Sequence, residues 1–354
     1  MRLSRDFRGT LVIAVCGLAF TLLAPEVLEF FTIITLSQVI GLAILALSLA
    51  LVWGFGGILC FGQTAFFGLG AYAYAVTATN IGGSTGAILM AILVAAAFAA
   101  ILGYFIFYGR VSDVYLAIIT LTVALILYSL TRRTSGPEYK IGNALLGGFN
   151  GTAAPPLNVP GDAGTVLFPE DTFYVAMIVL ILAYVFCCWL VRTHFGRVCI
   201  AIRENETRAE LLAYDIRLYK LGIFTIGAAL AGLGGVFFCV GVSRVTPDVF
   251  SLSQAAVAII WVIVGGRGTL IGPILATFAL HYLTASLGSQ ALLNANLVLG
   301  TVLIVFVLLV PKGVVPSIID LADIRRQRRV ARSRERRLRL RRTRNGSETA
   351  GVAE

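Results

Sequence analysis

Apolar residues in this chain form long uninterrupted runs, and short polar segments separate them. A helix that crosses a bilayer core about 30 Å thick needs about 20 apolar residues. By this measure the sequence predicts an all-α, polytopic transmembrane helical bundle of about ten spans, at residues 9–24, 30–53, 58–79, 86–108, 114–131, 172–191, 221–242, 252–265, 269–287 and 291–310. The eighth and ninth runs are short and joined by a glycine-rich turn, so they form either two spans or one broken pair.

Composition points to the same class. The apolar set makes up 58% of the residues and the charged set 13%, and the mean hydropathy is +0.90. Soluble domains average about 45–50% apolar and about 25% charged residues, so a soluble, disordered or disulfide-stapled chain is excluded. The first run resembles a secretion signal, but Pro25 follows it without a small-residue cleavage site. We therefore interpret this run as a retained helix.

Basic residues are distributed unevenly between the two sides that this topology defines. With the N-terminus inside, 24 lysines and arginines lie on the inner side and four on the outer side. Cytoplasmic segments carry this excess, so both termini are predicted to be cytoplasmic. The predicted organisation is a permeation domain at 1–318, with an outer, periplasmic loop at 132–170 and a cytoplasmic loop at 192–220, followed by an arginine-rich cytoplasmic tail at 319–354.

The arginine-rich tail has three interpretations. Twelve of the 25 arginines lie within residues 325–344. Such a cluster suits contact with anionic lipids or a solvated tail. A nucleic-acid arm is the third interpretation, but no aromatic residues for base stacking accompany the arginines. We expect lipid contact or solvation, and no nucleic-acid partner.

Few residues are available for chemistry. His281 is the single histidine within a predicted span, and no acidic or basic residue lies well inside one. Proton relays are built from such groups, so proton coupling is disfavoured, although a sodium site of neutral oxygens stays open. A phosphate-binding P-loop needs Gly-Lys-Ser/Thr, whereas the three lysines follow Tyr139, Tyr219 and Pro311. We expect no enzymatic activity of its own, no metal and no cofactor.

Three glycine-rich regions carry a family resemblance. They are ALSLALVWGFGGILCFGQTAFFGLGAY at 46–72, the segment with FGR at 195–197 and AIRENE at 201–206, and GGRGTLIGP at 265–273 with its echo PKG at 311–313. Together they resemble the M-type permease subunit of ATP-binding cassette importers for branched-chain amino acids, over residues 30–318. The chain departs from the family pattern at Cys60, where serine is usual, at Gln63, where histidine is common, and at Ala213, where glycine is usual.

The resemblance implies partners and a cargo. It implies a sister permease subunit in a heterodimer, two ATP-binding cassette ATPase subunits, a periplasmic substrate-binding protein and the lipids of a bacterial inner (plasma) membrane. The implied cargo is leucine, isoleucine or valine, moved by ATP that the partners hydrolyse. Importers of urea or short-chain amides have similar permeases and are the alternative. A stand-alone secondary transporter or channel is the alternative of a different class.

The cytoplasmic loop is the candidate for ATPase coupling. Apolar residues at 209, 212, 213 and 216 recur at helical spacing and leave the charged residues mainly on other faces. The charges either pair with a partner or form a solvated loop. The resemblance implies that this loop carries the helix that docks on the ATPase, with coupling residues Arg203, Glu204, Asn205, Glu206, Ala209, Leu212 and Ala213.

Two further groups are candidates for contact with the cargo and with the binding protein. Neutral dipoles suit an uncharged or zwitterionic solute that binds weakly and leaves. The predicted pathway residues are Gln38, Gln63, Thr64, Tyr72, Thr120, Thr122, Gln254, Asn294 and Asn296, each of which alternatively bonds a neighbouring helix. Long irregular loops are often functional. The predicted binding-protein contacts are Gly148, Phe149, Asn150, Arg244 and Asp248, in loops that alternatively only connect spans.

Overall fold

The computed structural model describes residues 3–27, 29–159 and 164–288, together with 300–301, 313 and 316–317. This part of the chain is built almost entirely of helices. They are α1 (Leu3–Val27), α2 (Phe30–Leu49, continued by a π-helical turn at Ala50–Phe55), α3 (Gln63–Ile81), α4 (Ser84–Tyr108), α5 (Asp113–Arg133), α6 (Pro169–Arg192), α7 (His194–Glu204), α8 (Glu206–Leu211), α9 (Ile216–Val242), α10 (Leu252–Gly265) and α11 (Ile271–Gly288).

The predicted polytopic helical bundle is confirmed. Among the described helices, six are long and apolar enough to cross a membrane, namely α1, α2 with its π-helical turn, α4, α5, α6 and α9. The helices α10 and α11 are apolar but shorter, as their run lengths predict. The predicted span at 291–310 lies outside the described residues, apart from 300 and 301, and so does the whole tail at 319–354.

The predicted start of the third span is wrong by five residues. Residues 58–62 are apolar, yet the helix does not begin until Gln63. Gly57 has a φ of +75°, a left-handed conformation that glycine adopts without steric cost. Gly62 lies directly against the backbone of Thr120, where a side chain would collide with the carbonyl group of that residue. Residues 56–62 therefore form a non-helical break between α2 and α3.

The centre of the bundle is α9, which packs against α2, α3 and α4. Small residues allow this close approach, because they let helix backbones come together. On α4, every fourth residue is a fully buried alanine, at positions 87, 91, 95 and 99. On α9, Gly235 meets the backbone of Phe67, and Gly232 meets that of Gly70. The glycine and alanine stripe of α9 is therefore a packing surface.

The two ends of the bundle differ. One end holds the α2–α3 break, α7, α8 and the turn at 266–270, and we call it the basic end. The other end holds residues 134–168 and 243–251, and we call it the loop end. Here β1 (Lys140–Ile141) pairs with β2 (Ala144–Leu145), and β3 (Thr152–Ala153) pairs with β4 (Arg244–Val245), all antiparallel. Pro247–Phe250 and Gly148–Asn150 are short 3₁₀ turns.

Candidate functional site

At the basic end, the side chain of Arg203 points into the bundle. Its guanidinium group donates a hydrogen bond to the carbonyl oxygen of Gly54, in the last turn of the helix that α2 begins, and forms an ion pair with Glu204. The last carbonyls of a helix have no partner within the helix and carry partial negative charge, so a cation stabilises them. The sequence predicts Arg203 as a coupling residue, and the structure adds its contact with α2.

A second arginine completes the connection at this end. The guanidinium group of Arg267 lies over the ring of Trp53, at 5.8 Å from the ring centroid, and the Arg267 backbone packs against Gly54. Gly313 in turn lies against Gly266. The end of α2 is therefore held between α7 and the glycine-rich turn at 266–270, which brings the three family-like sequence regions together.

The helical spacing at residues 209, 212, 213 and 216 does not belong to one continuous helix. The chain forms α7, then α8, and then the start of α9, and Asn205 caps α8 by accepting a hydrogen bond from the Arg208 backbone at 2.9 Å. Ala209 is buried in a small apolar cluster with Val198 and Ile202. Leu212 and Ala213 do not join it, because α8 ends at Leu211 and the chain turns there.

Two leucine side chains at the end of α8 are exposed. Leu211 is 82% exposed and Leu212 is 71% exposed. Ala213 has a φ of +62°, the left-handed conformation for which glycine is the preferred residue. Leu211 and Leu212 are thus exposed apolar residues at the end of α8, and they follow its charged residues Glu206, Arg208 and Glu210 in the sequence.

Ion pairs hold α8 against the bundle. Lys220 on α9 contacts Glu206 at 2.5 Å and Asp113 at 3.5 Å. Below these pairs, burial raises the pKa of the Cys199 thiol to about 12, so the thiol stays protonated at neutral pH. The loop at 193–215 is therefore a folded unit, with an uncharged interior and a charged outer face.

The predicted pathway residues separate into two groups. Gln63, Thr64, Tyr72 and Thr120 are buried on α3 and α5. Gln63 donates a hydrogen bond from Nε2 to the Ser48 hydroxyl, and the Thr120 hydroxyl accepts one from the backbone of Gly62. Ser48 belongs to this cluster although the sequence did not single it out, because serine is common in helices.

Tyr72 and the remaining pathway predictions make other contacts. Tyr72 stacks on Phe250, with 5.7 Å between the ring centroids. Gln38 and Gln254 are half-buried, whereas Thr122 is exposed on α5 and donates a hydrogen bond to the Ile118 carbonyl. Asn294 and Asn296 lie outside the described residues. Among the described candidates, Gln63, Thr64 and Thr120 thus form one compact group at the start of α3.

At the loop end, the structure brings the two predicted contact segments side by side. Arg244 on β4 donates a hydrogen bond to the carbonyl oxygen of Asn150 at 2.9 Å. Phe149 is 64% exposed and lies 5.4 Å from the Arg132 guanidinium group, and Asp248 is also exposed, whereas Gly148 is buried in the turn. An open depression of about 580 Å³ lies beside them, lined in part by Asn143, Asn150 and Arg244.

The comparisons with known proteins agree with this arrangement. Residues 31–308 match the family described as branched-chain amino acid transport system / permease component. This chain belongs to that family. The matched range includes the α2–α3 break, the loop at 193–215 and both segments of the loop end. The chain is thus a multi-pass membrane permease component, and its family is one of transport proteins.

Individual relatives give the same result. The high-affinity branched-chain amino acid transport system permease protein LivM of Escherichia coli K12 is 31% identical over 291 residues, which cover 77% of this chain and 67% of that protein. LivM of Salmonella typhimurium is 29% identical over 288 residues with the same coverage. A probable LivM of Methanocaldococcus jannaschii is 27% identical over 127 residues, or 35% of this chain and 36% of that protein. No solved structure gives a significant match.

Proposed function

We propose that this chain is a permease subunit of an ATP-binding cassette importer that takes up leucine, isoleucine or valine through a bacterial inner membrane. The family match and the LivM relatives support the cargo class. In this proposal a sister permease completes the membrane unit, both termini are cytoplasmic, and the basic end faces the cytoplasm, as the distribution of lysine and arginine favours.

In this proposal two separate ATPase subunits supply the energy for transport by hydrolysing ATP. The sequence has no P-loop, and the described helices carry no acidic or basic residue deep inside a predicted span. We assign the docking surface to α8, where the exposed Leu211 and Leu212 offer an apolar contact within a charged rim. Apolar contacts surrounded by polar groups are the usual composition of a protein interface.

The contact between this surface and the membrane helices is the observation that supports coupling. Arg203 lies between the α8 region and the end of α2, and its hydrogen bond to Gly54 joins the two. A displacement of α7 and α8 by an ATPase therefore acts directly on the end of α2. Because the break at 56–62 follows, α2 and α3 can respond separately.

At the loop end, cargo arrives on a periplasmic substrate-binding protein. The exposed Phe149 and the adjacent Arg132 and Arg244 offer aromatic and cationic contacts, which are enriched at interfaces. Pairing of β3 with β4 fixes these residues relative to one another. This surface is therefore pre-formed for a partner.

Reconstitution in proteoliposomes tests the class and the cargo. The chain together with its sister permease and both ATPases should accumulate leucine when ATP and the loaded binding protein are supplied. Uptake of urea or acetamide instead would assign the cargo to the amide class. Uptake by this chain alone, driven by a sodium or proton gradient, would contradict the importer assignment.

Charge reversal tests the coupling surface. The variant Glu204→Lys with Glu206→Lys should lower leucine uptake by about tenfold while ATP hydrolysis continues, because like charges at an interface are strongly unfavourable. The control is Lys220→Met, which removes both ion pairs of Lys220 but keeps the two glutamates. The partners of Lys220 are about half exposed, so this loss should cost little. Equal uncoupling in both variants would assign the effect to the internal ion pairs and not to docking.

A further inference from the structure

The first turn of α3 begins near mid-depth in the bundle and not at its surface. Gln63 Nε2 lies 3.6 Å from the position that a Cβ atom on Gly227 would occupy, and Gly227 is the twelfth of the 27 residues in α9. At 1.5 Å per residue this position is about 16 Å from the start of α9. The break at 56–62 therefore runs from the basic end into the interior before α3 starts.

This interior helix terminus has no side-chain cap. The Gly62 backbone N–H uses the Thr120 hydroxyl, and the Ala65 N–H uses the Gly62 carbonyl. Gly62, the N-cap residue of α3, has no side chain that could accept a hydrogen bond from the N–H groups of Gln63 and Thr64. The N-terminal end of a helix carries partial positive charge, which attracts anionic groups.

Two buried side-chain oxygens at the same terminus are unpaired. Gln63 is 1% exposed and Thr64 is not exposed, yet Gln63 Oε1 and Thr64 Oγ1 have no hydrogen-bond partner among the described residues. The bond from Gln63 Nε2 to Ser48 at 3.1 Å orients the amide group. Buried polar atoms are paired in the great majority of native proteins, so these two oxygens are places where a ligand or an ordered water supplies the missing hydrogen bond.

We propose that the first turn of α3 binds the charged head group of a zwitterionic α-amino acid during transport. The Thr64 hydroxyl, at the N-terminal end of α3, donates a hydrogen bond to the carboxylate, and Gln63 Oε1 accepts a hydrogen bond from the α-ammonium group. All of these groups are neutral, so they bind the zwitterion more weakly than a charged side chain would, and the solute can leave the site. This assignment rests on the proposed function, since it names how the cargo is recognised within the membrane.

The site is closed in this structure. A Cβ atom on Gly227 would collide with the side chain of Val52, so α2 and α9 are in direct contact beside Gln63. In this proposal a solute enters when α2 moves away from α9. Arg203 holds the end of α2 at Gly54, two residues after Val52. The same contact that couples the ATPase side to the bundle thus controls access to Gln63 and Thr64.

Two variants of the reconstituted importer test this site. Gln63→Leu and Thr64→Val should each lower leucine uptake by about tenfold, the effect of losing one charge-assisted hydrogen bond. ATP hydrolysis stimulated by the loaded binding protein should stay within about twofold of the unmodified complex, because docking is untouched. The matched control is Thr277→Val. Thr277 is equally buried, but its hydroxyl donates to the Pro273 carbonyl, so uptake should be retained.

A conservative variant separates recognition from packing. Gln63→His keeps a hydrogen-bond acceptor of similar reach, and we expect it to retain most of the uptake that Gln63→Leu loses. Equal loss in the two Gln63 variants would assign the residue to packing and overturn the proposal. Normal uptake by both Gln63→Leu and Thr64→Val would do the same. A failure of the proposed function is distinct, because the unmodified importer would then not accumulate leucine at all.

Discussion

At the scale of single residues, the basic end depends on one strained position. Ala213 follows α8 with a φ of +62°, and a residue with a Cβ atom pays a steric penalty there. The family resemblance places glycine at this position, and the left-handed turn explains why. The turn redirects the chain from α8 into α9 and leaves Leu211 and Leu212 exposed.

Replacing Ala213 with glycine should stabilise the protein. The expected gain is about 0.5–1 kcal/mol, since relief of the left-handed strain exceeds the added entropy of the unfolded chain. Thermal melting of the purified chain in detergent measures it. The control is Ala209→Gly, within α8, which should destabilise by about 1 kcal/mol because glycine weakens a helix interior. A lower melting temperature for Ala213→Gly would contradict the assigned turn geometry.

The direction of side chains was hard to predict in the cytoplasmic loop. The family resemblance gives Arg203 and Glu206 as coupling candidates, which stays a prediction, and helical spacing placed Leu212 on the same apolar face as Ala209. The structure instead buries Ala209 and leaves Leu212 71% exposed. Spacing along the sequence assumes one continuous helix, and it cannot register the caps and turns that end α8 after six residues.

At the scale of elements, hydropathy located nearly every described helix but not the α2–α3 break. Residues 58–62 are as apolar as a helix interior, and only the glycines at 57 and 62 distinguish them. The pairing of β3 with β4 was also beyond the sequence, because it joins segments about 90 residues apart through two short strands. Long-range contacts of this kind leave no local pattern in the amino-acid sequence.

The β3–β4 pairing should control the response to the binding protein. Gly151 has a φ of +74°, and a side chain there would collide with the Val245 carbonyl. Gly151→Ala should therefore loosen the loop end and raise the binding-protein concentration for half-maximal ATPase stimulation by about tenfold. Basal ATPase activity should not change, since the basic end is intact.

Gly86→Ala is the matched control for this variant. Gly86 lies in the first part of α4, and no atom lies within 4 Å of the position its Cβ would take. Titration of the two complexes with loaded binding protein compares them directly. The same half-maximal concentration in Gly151→Ala and Gly86→Ala would show that the loop end does not depend on the strand pairing.

At the scale of the whole molecule, the bundle is organised by small residues around α9. Apolar side chains gain little by leaving lipid for protein, so close backbone packing holds membrane helices together. The buried alanines of α4 meet α9, and Ala95 lies against Gly232. The small residues of α9 are visible in the sequence, but the facing alanine stripe on α4 became evident only from the fold.

Enlarging one residue of that stripe should destabilise the whole bundle. Ala95 is fully buried, so Ala95→Leu forces α4 away from α9 and should cost about 1–3 kcal/mol, as overpacking does in other cores. The control is Leu93→Ala on the same helix, at a side chain that is 53% exposed, and it should change stability by less than about 0.5 kcal/mol. Size-exclusion profiles after stepwise heating compare the two variants. Equal melting temperatures of the two variants would show that the packing of α4 against α9 does not depend on the alanines of α4. The central position of α9 in the bundle would then need another explanation.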